Sequence, residues 1–229
     1  MHNRNEAEIL QSWHRNAETW TRTVRDELIE SRRLITDRAV VEAVLDARPH
    51  SVLDIGCGEG WLVRALAAHG VQTIGVDGVP ALIAHAREAG GTFEVASYED
   101  IIAGRFSLRV DAIVCNFSLL GGASVERLLA ALPSLLKENG RLIVQTVHPL
   151  VACGEQAYAD GWRLEAWTGF GTAFPSPAPW YFRTLASWIG MLAAGGWHLL
   201  ELREPIHPHT GRPASAIFIA QCGTHENRA

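Results

Sequence analysis

The sequence SVLDIGCGEGW, residues 51–61, joins a short apolar segment to a glycine-rich turn. Residues 51–55 predict a buried strand that carries an acid, Asp54, next to its end. Glycines at positions 56, 58 and 60 allow a tight bend and leave the peptide groups open to a ligand, because glycine has no Cβ. Residues 62–68, LVRALAA, are typical of a helix. The stretch therefore predicts a strand–turn–helix unit with a ligand at the turn.

A second acid follows the next predicted strand. The apolar run 71–76 ends at Asp77. In a parallel sheet, a carboxylate at the end of the second strand is well placed to bind ribose hydroxyls. The two strand ends and the glycine turn are therefore expected at one edge of the sheet.

This combination resembles the class I S-adenosylmethionine-dependent methyltransferases. In that family the strand-end acid and the glycine loop lie against the methionine part of the cofactor, and the second acid binds the ribose. The resemblance covers residues 51–147 well, and the N-terminal helices and residues 148–181 loosely. It implies S-adenosyl-L-methionine as cofactor. The cofactor-binding residues expected in the two motifs are Asp54, Gly56, Cys57, Gly58, Gly60, Trp61, Asp77 and Gly78.

Two other functions remain open at this point. A dinucleotide-dependent oxidoreductase uses G-x-G-x-x-G, whose third glycine permits close packing of helix on strand. The bulky Trp61 stands at that place, which favours the methyltransferase loop. A non-catalytic protein that binds S-adenosylmethionine or S-adenosylhomocysteine would carry the same motifs, and the sequence does not distinguish it from an active transferase.

Alternating strands and helices predict a Rossmann-like α/β fold. We expect a doubly wound, mostly parallel seven-stranded sheet with an antiparallel C-terminal hairpin and an N-terminal helical lid. Residues 125–137 are expected to be helical, with a kink at Pro133. A single domain is expected, comprising an N-terminal helical cap (1–48), a cofactor-binding core (49–147), an aromatic-rich acceptor-site insertion (148–181) and a C-terminal helix and hairpin (182–229).

The composition and charge of the chain limit the kinds of molecule that it is expected to bind. The chain has 229 residues, 48% of them hydrophobic, with a net charge of −5 and a pI near 6.0. These values show no electrostatic footprint for nucleic acid or an anionic membrane. The N-terminus lacks a signal-peptide core, so a cytoplasmic location is expected. Four cysteines without C-x-x-C spacing are expected to be reduced and to hold no metal.

Further cofactor contacts are expected after the third and fourth strands. The family commonly has an acid after the third strand that binds the adenine amino group. Ser97 stands there instead, so Ser97 or the nearby Tyr98 and Glu99 are candidates, while a solvated Glu99 is the alternative. The candidates after the fourth strand are Asn116, Phe117 and Ser118. This segment lacks the Asn/Asp-Pro-Pro-aromatic motif of enzymes that methylate adenine N6, which argues against a nucleic-acid substrate.

The N-terminal 48 residues are a candidate lid. Trp13, Ala17 and Trp20 fall at helical spacing, and a basic pair follows at 32–33. In related enzymes such helices close over the cofactor. The resemblance then implies that Trp20 packs near the sulfonium and that Arg33 pairs with the cofactor carboxylate. The alternative is an amphipathic helix packed on the sheet, with solvated arginines.

Residues 148–181 predict the acceptor pocket. A long segment rich in Trp, Tyr and Phe, punctuated by prolines, follows the fifth strand. Aromatic walls suit a flat or apolar small molecule and exclude water. The alternative is a homodimer interface, since exposed aromatic residues also mark those.

Methyl transfer is an in-line displacement at a methyl that positive sulfur already activates, so alignment of the reactants supplies much of the acceleration. A phenol, acid or amine acceptor also benefits from a base. His148 at the end of the fifth strand is the first candidate, and His207 with its neighbour His209 comes second. Tyr181 and Arg183 are candidates to hold the acceptor.

Overall fold

Seven strands form one mixed sheet in the computed structural model, which describes residues 2–165 and 174–223. The order across the sheet is β3-β2-β1-β4-β5-β9-β8, and the first five of these strands are parallel. The strands β8 and β9 pair antiparallel to each other, and β9 pairs antiparallel to β5. The expected doubly wound sheet with a C-terminal hairpin is confirmed. These strands are β1 Ser51–Ile55, β2 Gln72–Asp77, β3 Thr92–Val95, β4 Val110–Asn116, β5 Leu136–Val147, β8 Trp197–Arg203 and β9 Ser215–Cys222.

Eight α-helices accompany the sheet in the described part of the chain. A π-turn at Arg32–Thr36 runs directly into α2, and a 3-10 turn at Leu132–Leu135 follows α6. The helices are α1 His2–Arg25, α2 Asp37–Asp46, α3 Trp61–Ala68, α4 Pro80–Glu88, α5 Tyr98–Ile102, α6 Ala123–Ala131, α7 Pro149–Ala152 and α8 Leu185–Ala194. None of the helices in residues 2–165 and 174–223 is both long and apolar enough to cross a membrane.

Alternate residues of the central strands bury opposite faces of the sheet, as the period of a strand requires. Leu53 and Ile55 of β1 join the cluster under α5, α6 and α8. Val52 joins the cluster under α2 and α3. Asp54 alternates with Leu53 and Ile55, so its side chain lies on the α2 side. The strand order reverses between β1 and β4, and in open parallel sheets ligands bind at this switch point.

Two expectations for local structure were wrong. The helix expected over 125–137 ends at Ala131, because Pro133 lacks an N–H and begins a 3-10 turn instead; Leu136 already belongs to β5. Residues 148–181 are not one long loop. They contain α7 and most of an antiparallel hairpin, made of β6 Gly161–Glu165 and β7 Ala178–Phe182. Trp167 and Phe170 of the predicted aromatic cover lie outside the described residues.

The glycine at the start of α3 generates a prediction about stability. Gly60 has φ 84°, and a Cβ there would lie 2.4 Å from Cζ of Phe93. Gly70 has a similar φ of 81° but no atom within 4 Å of its Cβ position. We expect Gly70→Ala to cost about 1 kcal/mol, the left-handed penalty alone. Gly60→Ala is expected to cost about 3 kcal/mol, because it adds an overpacking term. Equal losses of unfolding free energy in urea titrations would contradict this reason.

Candidate functional site

Three glycines with positive φ shape the turn between β1 and α3. Their φ values are 74° at Gly56, 57° at Gly58 and 84° at Gly60. A Cβ on Gly56 would lie 2.3 Å from the Cβ of Ser118, and one on Gly60 would meet Phe93. The approach of the loop after β4 therefore requires a glycine at position 56. Only Gly58 is open to the space above the turn, where a Cβ would lie 3.4 Å from Nε1 of Trp20.

Asp54 is a buried carboxyl next to the end of β1. Its exposure is 1%, and among the described residues Oδ1 has no hydrogen-bond partner. Burial, with a further contribution from the nearby Asp77 carboxylate, raises the pKa of Asp54 to about 8. A buried polar atom left unpaired costs stability, and such atoms in folded proteins commonly mark a ligand position or function.

Asp77, the last residue of β2, is hydrogen-bonded to the glycine turn that follows β1. Its Oδ2 accepts a hydrogen bond from the N–H of Gly58 at 2.9 Å, and its Oδ1 accepts one from the N–H of Val79 at 2.9 Å. Burial raises the pKa of Asp77, and these two backbone bonds oppose that shift. A carboxylate has about four acceptor positions, so two remain for a ligand such as a ribose. A Cβ on the next residue, Gly78, would lie 3.3 Å from Leu10 of α1, so α1 covers this part of the edge.

Arg32, and not the expected Arg33, faces the site. Arg32 is buried, and its guanidinium lies 4.8 Å from the ring centroid of Trp61 and 6.0 Å from that of Trp20. Its Nε donates to Oδ1 of Asp37 at 2.9 Å, and within residues 2–165 and 174–223 its two terminal nitrogens make no hydrogen bond. Arg33 is exposed. The signal was present in the sequence, because Arg32 stands four residues before Thr36 and eight before the buried Val40 on one helical stripe.

Several polar side chains lie together on the α2 side of the sheet edge. Asp54, Asn116 and Gln145 point to this face, by alternation with the apolar residues of their strands. Nε2 of Gln145 donates to Oδ1 of Asn116 at 2.8 Å and to the carbonyl of Thr36 at 3.2 Å. The Thr36 hydroxyl is buried without a partner in the described residues. Thr36 was missed by sequence reasoning. It lies in the π-turn, and such turns occur frequently at functional sites.

The loop after β4 is strained and tied to β1. Phe117 has φ 52°, which is unusual for a residue with a side chain. Ser118 Oγ donates to the carbonyl of Ile55 at 2.7 Å, and the hydroxyl of Tyr98 donates to the carbonyl of Ser118 at 2.6 Å. The side chains of Ser118 and Tyr98 thus hold the loop in place. Both hydroxyls already donate to backbone carbonyls, so neither can donate to a ligand in this arrangement.

Four other expected cofactor contacts use their side chains elsewhere. Ser97 caps α5 in a reciprocal capping box with Asp100. Glu99 is 60% exposed and pairs with Arg127, so the solvated alternative describes it. The Cys57 thiol is buried, and burial raises its pKa. Trp61 packs beside α2 and under Arg32.

The insertion borders the site through β7. The Tyr181 N–H donates to the carbonyl of Leu120 at 2.8 Å, which joins β7 to the loop after β4. Trp162 of β6 meets Tyr181 edge to face at 5.4 Å between ring centroids. Arg183 does not project toward an acceptor as expected. It is buried and donates to the carbonyls of Gly121 and Gly122, each at 2.8 Å. Desolvation lowers the pKa of Arg183.

His148 does not point into a pocket, which corrects the expectation of a general base. It is fully buried, its Nε2 lies 2.7 Å from Oε1 of Glu204, and its Nδ1 accepts the N–H of Leu150 at 3.3 Å. Both ring nitrogens are therefore engaged, and the residue caps α7. His207 lies in the loop between β8 and β9, where its Nδ1 accepts the N–H of His209. The ring of His209 pairs with Glu30 at 3.0 Å, so neither ring is assigned to proton transfer.

Comparison with known proteins establishes the family. A model described as a methyltransferase domain matches residues 22–202. The chain belongs to this family, and the predicted resemblance to class I methyltransferases is confirmed. A ubiquinone biosynthesis O-methyltransferase of Xylella fastidiosa is 36% identical over 107 residues, which are 44% of this chain and 43% of that protein. The chain thus aligns with less than half the length of this curated relative.

Solved structures share the fold at low sequence identity. An S-adenosylmethionine-dependent methyltransferase from Mesorhizobium loti has a TM-score of 0.59 at 19% identity, covering 78% of this chain and 95% of that one. A glycopeptide N-methyltransferase, MtfA, solved with S-adenosyl-L-methionine, has a TM-score of 0.63 at 14% identity, covering 81% and 87%. Both likenesses concern the architecture of the sheet and its helices.

The buried carboxyl of Asp54 predicts a pH dependence of stability. Its pKa rises from 3.8 in the unfolded chain to about 8 in the folded protein, so the folded state holds the proton more tightly. Its contribution to stability is therefore present at low pH and is lost as pH rises toward 8. Between pH 6 and 8 we expect the unfolding free energy to fall relative to Asp54→Asn by up to about 1.4 kcal/mol per pH unit. Parallel pH profiles for the two proteins in urea titrations would contradict the assignment.

Proposed function

We propose that this protein transfers a methyl group from S-adenosyl-L-methionine to a small-molecule acceptor. One observation carries the proposal: Asp54, a buried carboxyl whose Oδ1 has no hydrogen-bond partner among the described residues, and the buried guanidinium of Arg32 lie at the same edge of the sheet. An amino acid carries one group of each opposite charge, an ammonium and a carboxylate. The ammonium of the methionine part therefore complements the Asp54 carboxyl, which ionises when that ammonium binds, and the methionine carboxylate complements the buried guanidinium of Arg32.

The remaining cofactor contacts follow from the same edge. Asp77 holds the ribose hydroxyls with its two unused acceptor positions, while its bonds to Gly58 and Val79 fix its orientation. The Nδ2 of Asn116 donates to the cofactor, since Gln145 occupies its Oδ1. Trp20 lies over the glycine turn, where the face of its indole suits a positively charged sulfur. Gly78 and the backbone at Ser97 border the adenine, because the Ser97 side chain is engaged by Asp100.

Catalysis in this proposal depends on alignment. The cofactor supplies a methyl that positive sulfur activates. The chain holds the donor at the β1 and β2 ends and the acceptor against β7, in line with it, and aromatic side chains exclude water. The rings of His148, His207 and His209 are engaged elsewhere, so none of the three is assigned to take the acceptor's proton.

The acceptor is proposed to be flat or aromatic. Trp162 and Tyr181 form an edge-to-face wall, and the indole Nε1 of Trp162 is buried without a partner among the described residues. An oxygen on the acceptor would satisfy that donor. The named activity of the Xylella relative, an O-methyltransferase of ubiquinone biosynthesis, agrees with a phenolic acceptor. A homodimer across the exposed side chains of the insertion, such as Leu164 at 67% exposure, is the accompanying proposal for assembly.

The proposed cofactor site assigns a binding role to Arg32 and none to its neighbour Arg33. Arg32→Ala is expected to weaken S-adenosylhomocysteine binding by about tenfold to a hundredfold, because a charge-assisted hydrogen bond contributes about 1.5–3 kcal/mol. Arg33→Ala is the matched control and should leave the Kd unchanged, since Arg33 is exposed. Titration calorimetry with S-adenosylhomocysteine measures both, and thermal unfolding of each variant reports any loss of fold. Equal affinities for the two variants would contradict the placement of the carboxylate.

The activity is tested with methyl-labelled S-adenosylmethionine and a panel of phenols, catechols, carboxylic acids and primary amines. We expect label to pass to a phenol or catechol, and analytical ultracentrifugation on the same sample to report the assembly. Binding of S-adenosylhomocysteine without transfer to any class would indicate the non-catalytic alternative. Preferential binding of NAD in calorimetry would overturn the proposed function.

A further inference from the structure

Asn16 of α1 makes a two-way contact with a single residue of the insertion. Its Nδ2 donates to the carbonyl of Ser176 at 2.7 Å, and its Oδ1 accepts the N–H of Ser176 at 3.1 Å. Ser12, one turn earlier, donates from its hydroxyl to the same carbonyl at 3.1 Å. Asn16 and Ser12 are fully buried and Ser176 is 6% exposed, so water does not compete for these bonds.

The contact requires a carboxamide. Ser176 presents a donor and an acceptor together, and the carboxamide of Asn16 offers the complementary pair on two separate atoms. Removing it would take away two hydrogen bonds from the nearly buried backbone of Ser176, which carries a desolvation penalty. Burying two polar side chains on one helix also lowers the stability of the fold unless both are hydrogen-bonded. The helix is therefore joined to the insertion by a specific contact.

The two sides of this contact, α1 and the segment that contains Ser176, border different parts of the site. Trp20, one helical turn after Asn16, lies over Gly58, and Leu10 lies over Gly78. Ser176 leads into β7, whose Tyr181 N–H bonds the loop after β4. One side of the contact therefore covers the cofactor edge, and the other forms the wall against which the acceptor is proposed to lie.

We propose that Asn16 is a positioning residue that couples α1 to residues 174–182, so that capture of the cofactor under α1 also sets the acceptor wall. The inference rests on the proposed function. It explains why a helix over the cofactor carries buried polar side chains on the side that faces the insertion. The coupling free energy lies in the paired bonds to Ser176, which form only when the helix and the strand are both docked.

Hydrogen exchange followed by mass spectrometry tests the coupling with S-adenosylhomocysteine as the probe. In the unaltered protein the probe should slow exchange both in α1 and in residues 174–182. In Asn16→Ala the probe should still slow exchange in α1 but no longer in residues 174–182. Without the probe, exchange of residues 174–182 should rise about tenfold or more, since two hydrogen bonds of about 1 kcal/mol each are lost. A residue that only stabilised the fold would not change how the probe's effect is transmitted.

Glu18→Ala is the matched control, because Glu18 is an exposed side chain on the same helix. It should behave as the unaltered protein in both arms. If Asn16→Ala fails to fold, Ser12→Ala removes one bond to the same carbonyl and should show the same pattern at smaller size. Full protection of residues 174–182 by the probe in Asn16→Ala would overturn the coupling and leave the proposed function standing. No protection of α1 in the unaltered protein would overturn both.

Discussion

The turn between β1 and α3 has no room for a side chain at two of its three glycines, and the site is arranged around that constraint. Gly56 is closed by Ser118 and Gly60 by Phe93, so the turn is packed between the loop after β4 and the strand β3. Ser118 is in turn held by the carbonyl of Ile55. The same contacts that prevent substitution bring the ends of β1, β2 and β4 together. The only open glycine, Gly58, is the one whose N–H is fixed by Asp77.

The electrostatics of this edge are unbalanced in the free protein. Burial raises the pKa of both Asp54 and Asp77, and the nearby Asp77 carboxylate raises that of Asp54 further. Arg32 is positive, but its Nε is directed to Asp37 and its face to Trp61. The free protein therefore holds a positive guanidinium and a carboxyl that burial keeps largely protonated near neutral pH, without pairing them directly. A zwitterionic ligand that bridges them would bind both groups at once, because its ammonium favours ionisation of Asp54 and its carboxylate pairs with Arg32.

Local pattern in the sequence predicted the elements that depend on near neighbours. The strand at Ser51–Ile55, the glycine turn and Asp77 follow from alternation and spacing within about thirty residues. Helical spacing also favoured Arg32 over Arg33, since Arg32 stands four residues before Thr36 and eight before Val40, although Arg33 was the residue predicted. The side chain of Ser97 was assigned to the cofactor, whereas Asp100, three residues later, completes a capping box that was visible in the sequence.

Contacts between distant parts of the chain could not be predicted from the sequence. His148 stands where a strand ends, and only the fold brings Glu204 within 2.7 Å of its ring. Pro179 of β7 disfavours a strand by propensity, yet β7 pairs with β6 because a two-stranded hairpin has only edges, where proline is tolerated.

The position of α1 shows why a lid helix has two different faces. Ala17 packs with Val79 and Leu82 next to α4, and this apolar contact stabilises docking without fixing the direction of approach. Polar contacts supply the direction, because hydrogen bonds require defined geometry. Glu6 accepts the N–H of Gly122 at one end, and at the other end Arg25 pairs with Glu59 of the glycine turn at 3.3 Å. Each polar contact joins α1 to a segment that borders the site, so undocking the helix would release the glycine turn, the start of α6 and the insertion together.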